Sequence, residues 1–147
     1  MKIKVAWIGK TRDPAIQALT AEYLKRLSSY VQLEPLAVGS EAALLKLATR
    51  NPGRPASMLV LLDSRGRQFT SEEFARFLDD RQSQTPQPLL FAVGPADGFT
   101  DQARKGASFL LSLGKMTLPH ELARVVLLEQ LYRAFTILKG HPYHLGH

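Results

Sequence analysis

Three of the chain's four histidines fall in the closing segment His141-Pro142-Tyr143-His144-Leu145-Gly146-His147. Imidazoles three residues apart can ligate a metal from one helix face, but Pro142 breaks the helix that would align them. Neither a carboxylate nor a sulfur ligand is close in sequence, so no metal site is expected. Tyr143 beside His144 instead pairs a flat aromatic surface, on which a base can stack, with a side chain that accepts or relays protons. An active-site tail and a plain disordered terminus both fit this pattern. Upstream, Arg124 and Arg133 are nine residues apart, about 2.5 helical turns, so one helix points them to opposite sides. Glu129 and Arg133 are spaced to pair with each other at i,i+4. On an interface helix, one of the arginines could serve a partner's pocket.

Three further segments combine glycine with polar residues: Leu62-Asp63-Ser64-Arg65-Gly66, Gly94-Pro95-Ala96-Asp97-Gly98, and Leu113-Gly114-Lys115-Met116-Thr117-Leu118-Pro119-His120. Glycine lets a backbone approach a ligand closely, which suits a molecule held mainly by main-chain groups. Ordinary turn chemistry accounts for any one of them; three at one sheet edge favour a site. The familiar nucleotide motifs are absent. Gly94 to Gly98 lacks the G-x-G-x-x-G that brings a pyrophosphate onto backbone amides. Gly114-Lys115 resembles the end of a phosphate-binding loop, but the earlier glycine position is Phe109 and Thr117 comes one residue late. No G-x-S-x-G hydrolase elbow is present.

The elements that must position these residues alternate between strand and helix. Lys2 to Ile8 alternates in the period of a strand and ends at Gly9. Asp13 and Pro14 then open a helix carrying Ile16, Leu19, Tyr23, Leu24 and Leu27. Val31 to Val38 is a second strand, Ser40 caps a short helix, and 51–57 is a loop. The apolar run Met58 to Leu62 reads as a strand buried on both faces, with Asp63 to Gly66 turning the chain. Thr70 and Glu73 form a capping box for a helix to about Arg81; Leu89 to Val93 is a fourth strand. Thr100 caps a helix that carries Ala103, Ala107 and Leu110 inward, and Leu111 to Leu118 is either a short strand or an ordered loop.

The last helix starts at Pro119 and runs to Leu138, with Gly140 and Pro142 ending it. Val125, Val126, Leu127, Leu128, Leu131, Phe135 and Leu138 fill most of its circumference, which predicts cover on more than one side, by the sheet and by a second subunit. This alternation gives a single α/β domain over 1–147 with a mostly parallel, doubly wound sheet. Ligands of such sheets sit beyond the carboxyl ends of the strands, here after Ile8, Leu62, Val93 and Leu118.

Composition narrows the function. At 147 residues with 45% hydrophobic content the chain builds one core, and with no cysteine it has neither disulfides nor a thiolate nucleophile or metal ligand. Its apolar runs are shorter than the ~20 residues of a membrane span, and the N-terminal run is too brief for a secretory signal, so a soluble cytoplasmic protein is expected. A net charge of +6 favours polyanionic partners. The basic residues are scattered, with short groupings at Lys25-Arg26, Arg65 with Arg67, and Arg104-Lys105, so the fold or an oligomer must assemble any RNA surface.

The run Lys115-Met116-Thr117-Leu118-Pro119-His120, then Arg124-Val125-Val126-Leu127-Leu128-Glu129-Gln130-Leu131-Tyr132-Arg133-Ala134-Phe135, and the closing His141-Pro142-Tyr143-His144 resemble the RlmH methyltransferases. The likeness covers essentially the whole chain and is most specific in its C-terminal third. It implies an α/β fold with a C-terminal trefoil knot, an exception to the rule of unthreaded chains, and a homodimer. It further implies that S-adenosylmethionine is held by Leu62, Gly94, Leu113, Gly114, Lys115, Met116, Thr117 and Leu118. The family often has adjacent glycines where this chain has Gly94-Pro95, and proline removes one amide donor there.

The implied reaction is methylation of N3 of a pseudouridine in large-subunit ribosomal RNA, with no metal. His144 is the implied proton acceptor or relay, Tyr143 stacks or orients the base, and Arg133 favours negative charge developing on the uracil. So small a fold has little room for a separate RNA-reading module, so the assembled ribosome is expected to supply specificity. The alternatives are a non-catalytic RNA- or ribosome-binding protein and a knotted methyltransferase acting on transfer RNA.

Overall fold

The computed structural model describes residues 1–49, 53 and 56–145. Asn51, Pro52 and Pro55 of the expected loop, and the closing Gly146 and His147, lie outside the described residues. The elements in chain order are β1 (Lys2–Ile8), α1 (Pro14–Leu27), β2 (Gln32–Val38), α2 (Glu41–Ala48), β3 (Met58–Gln68), α3 (Ser71–Gln84), β4 (Leu89–Val93), α4 (Asp101–Gly106), β5 (Phe109–Ser112) and α5 (His120–Lys139).

Local chemistry sets most of the helix boundaries. The Asp13 carboxylate accepts from the Ala15 amide at 2.8 Å, with Pro14 in the first turn where its missing N–H costs nothing. At α3, Thr70 Oγ1 accepts from the Glu73 amide (3.1 Å) while Glu73 accepts from the Thr70 amide (2.7 Å), a reciprocal capping box. α5 stops at Gly140, whose left-handed φ of 71° lets the His141 amide turn back onto Thr136 O at 2.9 Å.

All strand pairs are parallel, in the order β2-β1-β4-β3-β5. Alternate residues face opposite layers. Ile3, Val5, Val60, Leu89, Phe91 and Val93 pack in one cluster with Leu27 of α1, Phe74 and Leu78 of α3, and Leu127, Leu128 and Leu131 of α5. Ala6, Leu59, Leu61, Leu90 and Ala92 pack on the other face with Leu44 of α2 and Ala103 of α4. The sheet is therefore doubly wound. Every residue of β4 is buried, as a central strand covered on both faces requires. Pro35, which has no amide hydrogen for a ladder, sits on the edge strand β2.

Two expectations are corrected. The strand beginning at Met58 does not end at Leu62: Leu111 of β5 is paired with both Leu62 and Arg67, so Asp63 to Gly66 bulge out and the strand resumes to Gln68. The Asp63 side chain caps the Arg65 amide at 2.9 Å, so the turn chemistry is real but is contained within a strand. At Gly66 a Cβ would lie 2.5 Å from the Leu110 carbonyl carbon, which keeps this position free of a side chain. Leu110 belongs to β5 rather than to the preceding helix, which ends at Gly106. Finally, α5 is flanked by α1 and α3 on its own sheet face. Leu127 and Leu131 are fully buried within the chain, whereas Leu122 on the same helix is exposed, so the chain covers these two leucines and leaves part of the helix surface open.

Candidate active site

The carboxyl ends of β3, β4 and β5 open onto a cleft of about 330 Å³, within the range of small-molecule sites. Of the residues expected to hold a cofactor, Leu62, Gly94, Leu113, Gly114, Met116, Thr117 and Leu118 line it; Lys115 does not. Leu62, Val93, Leu111, Leu113 and Leu118 supply apolar wall, while 94–98 and 112–114 supply main chain. The Gly98 amide donates to Pro95 O at 2.9 Å, closing the first loop as a turn. Ser112, buried at the end of β5, donates to Gly114 O (2.9 Å) and accepts from the Gly114 amide (3.2 Å), which fixes the second.

Gly94 lines the cleft and is also constrained from behind. A Cβ there would lie 3.0 Å from the Phe99 ring, so Phe99, buried beneath the loop, already occupies the space.

The floor of the cleft contains a brace that sequence reasoning missed. The Arg104 guanidinium donates to Phe99 O at 2.6 Å, reaches Asp63 at 3.3 Å, and pairs with Asp101. Arg65 lies 3.7 Å from Asp101 on the outer side. One arginine thus ties the β3 bulge to the loop after β4. Its hydrogen bond holds the Asp101 carboxyl below the usual carboxylate range, and Asp101 in turn raises the guanidinium. The sequence held the basic pair and a carboxylate at Asp101 three residues before Arg104, but not the partner in the bulge, which is 41 residues away.

Arg133, Tyr143 and His144 are brought together, but not in this cleft. Arg133 donates from Nε (2.9 Å) and Nη2 (2.6 Å) to Glu129 Oε1, the pair expected from spacing, and from Nη1 to His144 Nδ1 at 3.0 Å. Arginine only donates, so His144 Nδ1 is the acceptor and Nε2 carries the hydrogen, which goes to Glu72 Oε1 at 2.7 Å. That hydrogen bond holds the Glu72 carboxyl below its ordinary value. Tyr143 packs edge-on against Tyr132 and under the Arg133 guanidinium, and donates to Glu129 at 3.2 Å. Burial, then hydrogen bonding with Tyr23 and the nearby Glu129 charge, push the Tyr143 phenol well above its usual range, so it stays neutral. Tyr30 bonds to His141 and anchors the start of the tail. Glu72 was not foreseen; it stands 72 residues from its histidine.

The cleft reaches α5 at His120 and Ala123, whereas Arg133 is ten residues further on. At 1.5 Å per residue the two sets are ~15 Å apart along one helix. Among the described residues no group of histidine and acidic side chains could hold a metal ion, and no helix is long and apolar enough to cross a membrane.

Fold and site together define a doubly wound α/β protein whose small-molecule cleft is built from backbone loops at the carboxyl edge of the sheet, with none of the dinucleotide or phosphate-loop motifs. The profile of a family described as "Predicted SPOUT methyltransferase" matches residues 1–144. The chain belongs to that family, and its fold is the knotted α/β fold. It is 63% identical over 147 residues to a ribosomal RNA large subunit methyltransferase H from Koribacter versatilis, covering 100% of both chains. It is 46% identical to the protein of the same name from Gloeobacter violaceus, over 99% of this chain and 100% of that one. Among solved structures, a probable methylase family protein from Haemophilus influenzae superposes with a TM-score of 0.62 at 12% identity, covering 97% of this chain and 70% of that one. A putative methyltransferase from Legionella pneumophila, solved with bound SAM, gives 0.51 at 16% identity, over 91% and 66%. At such identities the likeness is one of fold.

Proposed function

We propose that this chain is a cytoplasmic, S-adenosylmethionine-dependent methyltransferase that acts as a homodimer on N3 of a pseudouridine in large-subunit ribosomal RNA. The observation that carries the reading is the cleft: seven of the eight residues expected to hold the cofactor meet there, in a protein whose full-length relatives are named for this class of reaction. The cleft suits a group with a flat heterocycle and a charged tail. Leu62, Leu113 and Leu118 offer apolar wall, the loops at 94–98 and 112–114 offer main-chain donors and acceptors, and the exposed Asp97 gives the rim a negative charge for a cation. When bound, S-adenosylmethionine supplies a methyl group on a sulfonium, poised for in-line transfer to a nucleophile.

The chain's own residues must then free the N3 lone pair. An N3–H presented in place of Arg133 Nη1 meets His144 Nδ1, an acceptor whose opposite nitrogen is already oriented by Glu72. Arg133 so displaced remains beside the base and balances charge on its oxygens. Tyr143, neutral and edge-packed, offers its ring to the base.

Because cleft and tail are ~15 Å apart along α5, the reading requires the tail of one subunit to serve the cleft of the other. Leu19, Leu122 and Met116 are the exposed large apolar side chains of α1, α5 and the cleft loop, and we assign them to that contact. The net charge of +6 provides attraction to the rRNA backbone that is independent of sequence. The test is transfer of a labelled methyl group to ribosomes that lack the modification, with the product mapped to its nucleotide. Incorporation into transfer RNA with none into ribosomes would overturn the substrate assignment, and no heat on titrating S-adenosylmethionine would overturn the enzyme.

A further inference from the structure

Arg124 is the largest side chain buried in the core, 2% exposed, and nothing in the proposed reaction uses it. Its guanidinium lies 4.2 Å from the centre of the Trp7 ring. Its Nε is buried without a hydrogen-bond partner, and no ion pair or side-chain hydrogen bond reaches it among the described residues. The nearest acidic side chain acting on it is Glu121, which instead accepts from the Arg12 amide at 3.3 Å. Burial lowers the Arg124 pKa from the usual arginine value, with Glu121 opposing only in part. A buried guanidinium with its donors unspent is costly, and the aromatic face offsets only part of that.

The side chain is not sealed in. It lines a recess of about 10 Å³, walled also by Trp7, Ile8, Gly9, Lys10, Thr11, His120 and Glu121, whose carboxylate is the one acidic group there. This recess lies at the carboxyl end of β1, the fourth strand end where a ligand is expected. His120 lines both it and the cofactor cleft, so the two sites adjoin. Lys10 is exposed at its mouth. The volume is about that of a single water, too small for a base, a sugar or a whole phosphate group, but enough for one oxygen atom presented to the guanidinium.

We infer that Arg124, with Lys10 at the rim, forms a phosphate subsite that takes one non-bridging oxygen of an RNA phosphodiester next to the cofactor cleft. The inference rests on the RNA-substrate reading and adds to it the part of this chain that grips the backbone of the strand. Trp7 holds the guanidinium flat, so its donors are presented at a fixed depth, and Lys10 meets the second phosphate oxygen from solvent. A phosphate contact positions the strand without reading its sequence.

The test compares wild type with Arg124→Met, which keeps a long apolar stem over Trp7. Ribosomes lacking the modification are titrated by filter binding across a series of potassium chloride concentrations, and S-adenosylmethionine is titrated separately by calorimetry. Loss of one phosphate contact predicts about tenfold weaker ribosome binding at moderate salt, with the slope of log affinity against log salt shallower by about 0.7 to 0.9. Cofactor affinity stays within about twofold, since Arg124 does not line the cleft. A purely structural arginine would leave the slope unchanged in a folded variant, and that result overturns the subsite. Should Arg124→Met fail to fold, the exposed Lys10→Glu decides: it places a carboxylate at the mouth and must weaken ribosome binding at least as much, and wild-type binding by that variant overturns the inference. Failure of wild type to bind S-adenosylmethionine would defeat the enzymatic reading instead, and the salt slopes would still judge the phosphate contact.

Discussion

If the tail of one subunit completes the cleft of the other, two differently damaged chains must rescue each other. One chain carries His144→Ala, which removes the proposed proton acceptor and leaves the cleft intact. The other carries a bulky residue at the cleft rim, Thr117→Trp, verified by calorimetry to have lost the cofactor and by circular dichroism to be folded. Each homodimer should be reduced by about 10²- to 10⁴-fold in methyl transfer. In the heterodimer, one composite site joins the good cleft to the good tail, and the other joins both defects. One site of two works, so heterodimers isolated through two different affinity tags should run at about half the wild-type rate per dimer. An unsorted equal mixture should run at about one quarter, because about half the dimers are mixed. The arithmetic depends on the ~15 Å that separates Ala123 from Arg133 along α5. Were both sets to act within one chain, neither damaged subunit would hold a complete site, and the isolated heterodimer would be as inactive as its parents. That outcome, or an inability to isolate any heterodimer, would refute the reasoning.

Acid should release the tail. Glu72 has its carboxyl pKa lowered mainly by the hydrogen bond from His144, so its contribution is fully present above the ordinary value of about 4.3 and is lost as pH falls through the folded-state value; His144 ring resonances should show the release, and Glu72→Gln should abolish that acidic step. Leu127→Asp and Leu131→Asp should unfold the protein rather than yield monomers, because both side chains are fully buried in the chain, whereas Leu19→Asp with Leu122→Asp should give a folded monomer by sedimentation. Gly66→Ala must push a methyl against the Leu110 backbone at 2.5 Å, at a cost of about 1–3 kcal/mol, lowering Tm by roughly 3–10 °C; an unchanged Tm would show that the bulge yields freely.

What could be read from the sequence was local. Asp13 with Pro14, Thr70 with Glu73, and Gly140 each act within four residues of themselves, and each forms the boundary expected of it. The alternation of strands and helices gave the parallel doubly wound class, and the strand ends gave the cleft. The errors came from pairing across long sequence distances. Asp63 to Gly66 carry turn chemistry, and only β5 pairing on both sides reveals that the strand resumes at Arg67. The apolar girth of α5 signalled cover on more than one side; within the chain the sheet, α1 and α3 supply it, and Leu122 stays exposed. Gly94 was read as making room for a ligand; it lines the cleft and makes room for Phe99 as well, which no local pattern signals. Glu72, and the Asp63 partner of Arg104, carry no local signature, because the finished sheet brings these pairs together. His144 and Arg133 were named through the family resemblance; their meeting depends on the tail folding back over α5.

The strand order also bears on how the chain is made. β4 lies between β1 and β3, so a ribosome that has released only the first three strands presents a sheet with its middle missing. The two halves can unite only after Val93 has left the exit tunnel. α5 is synthesised last, and until it emerges the face bearing Val60, Phe91 and Val93 stands open to water. Order in this sheet is thus withheld until α5 has been made. During that interval the nascent chain exposes the kind of apolar surface that chaperones bind, and truncation within α5 should send the product to degradation rather than leave a smaller working protein.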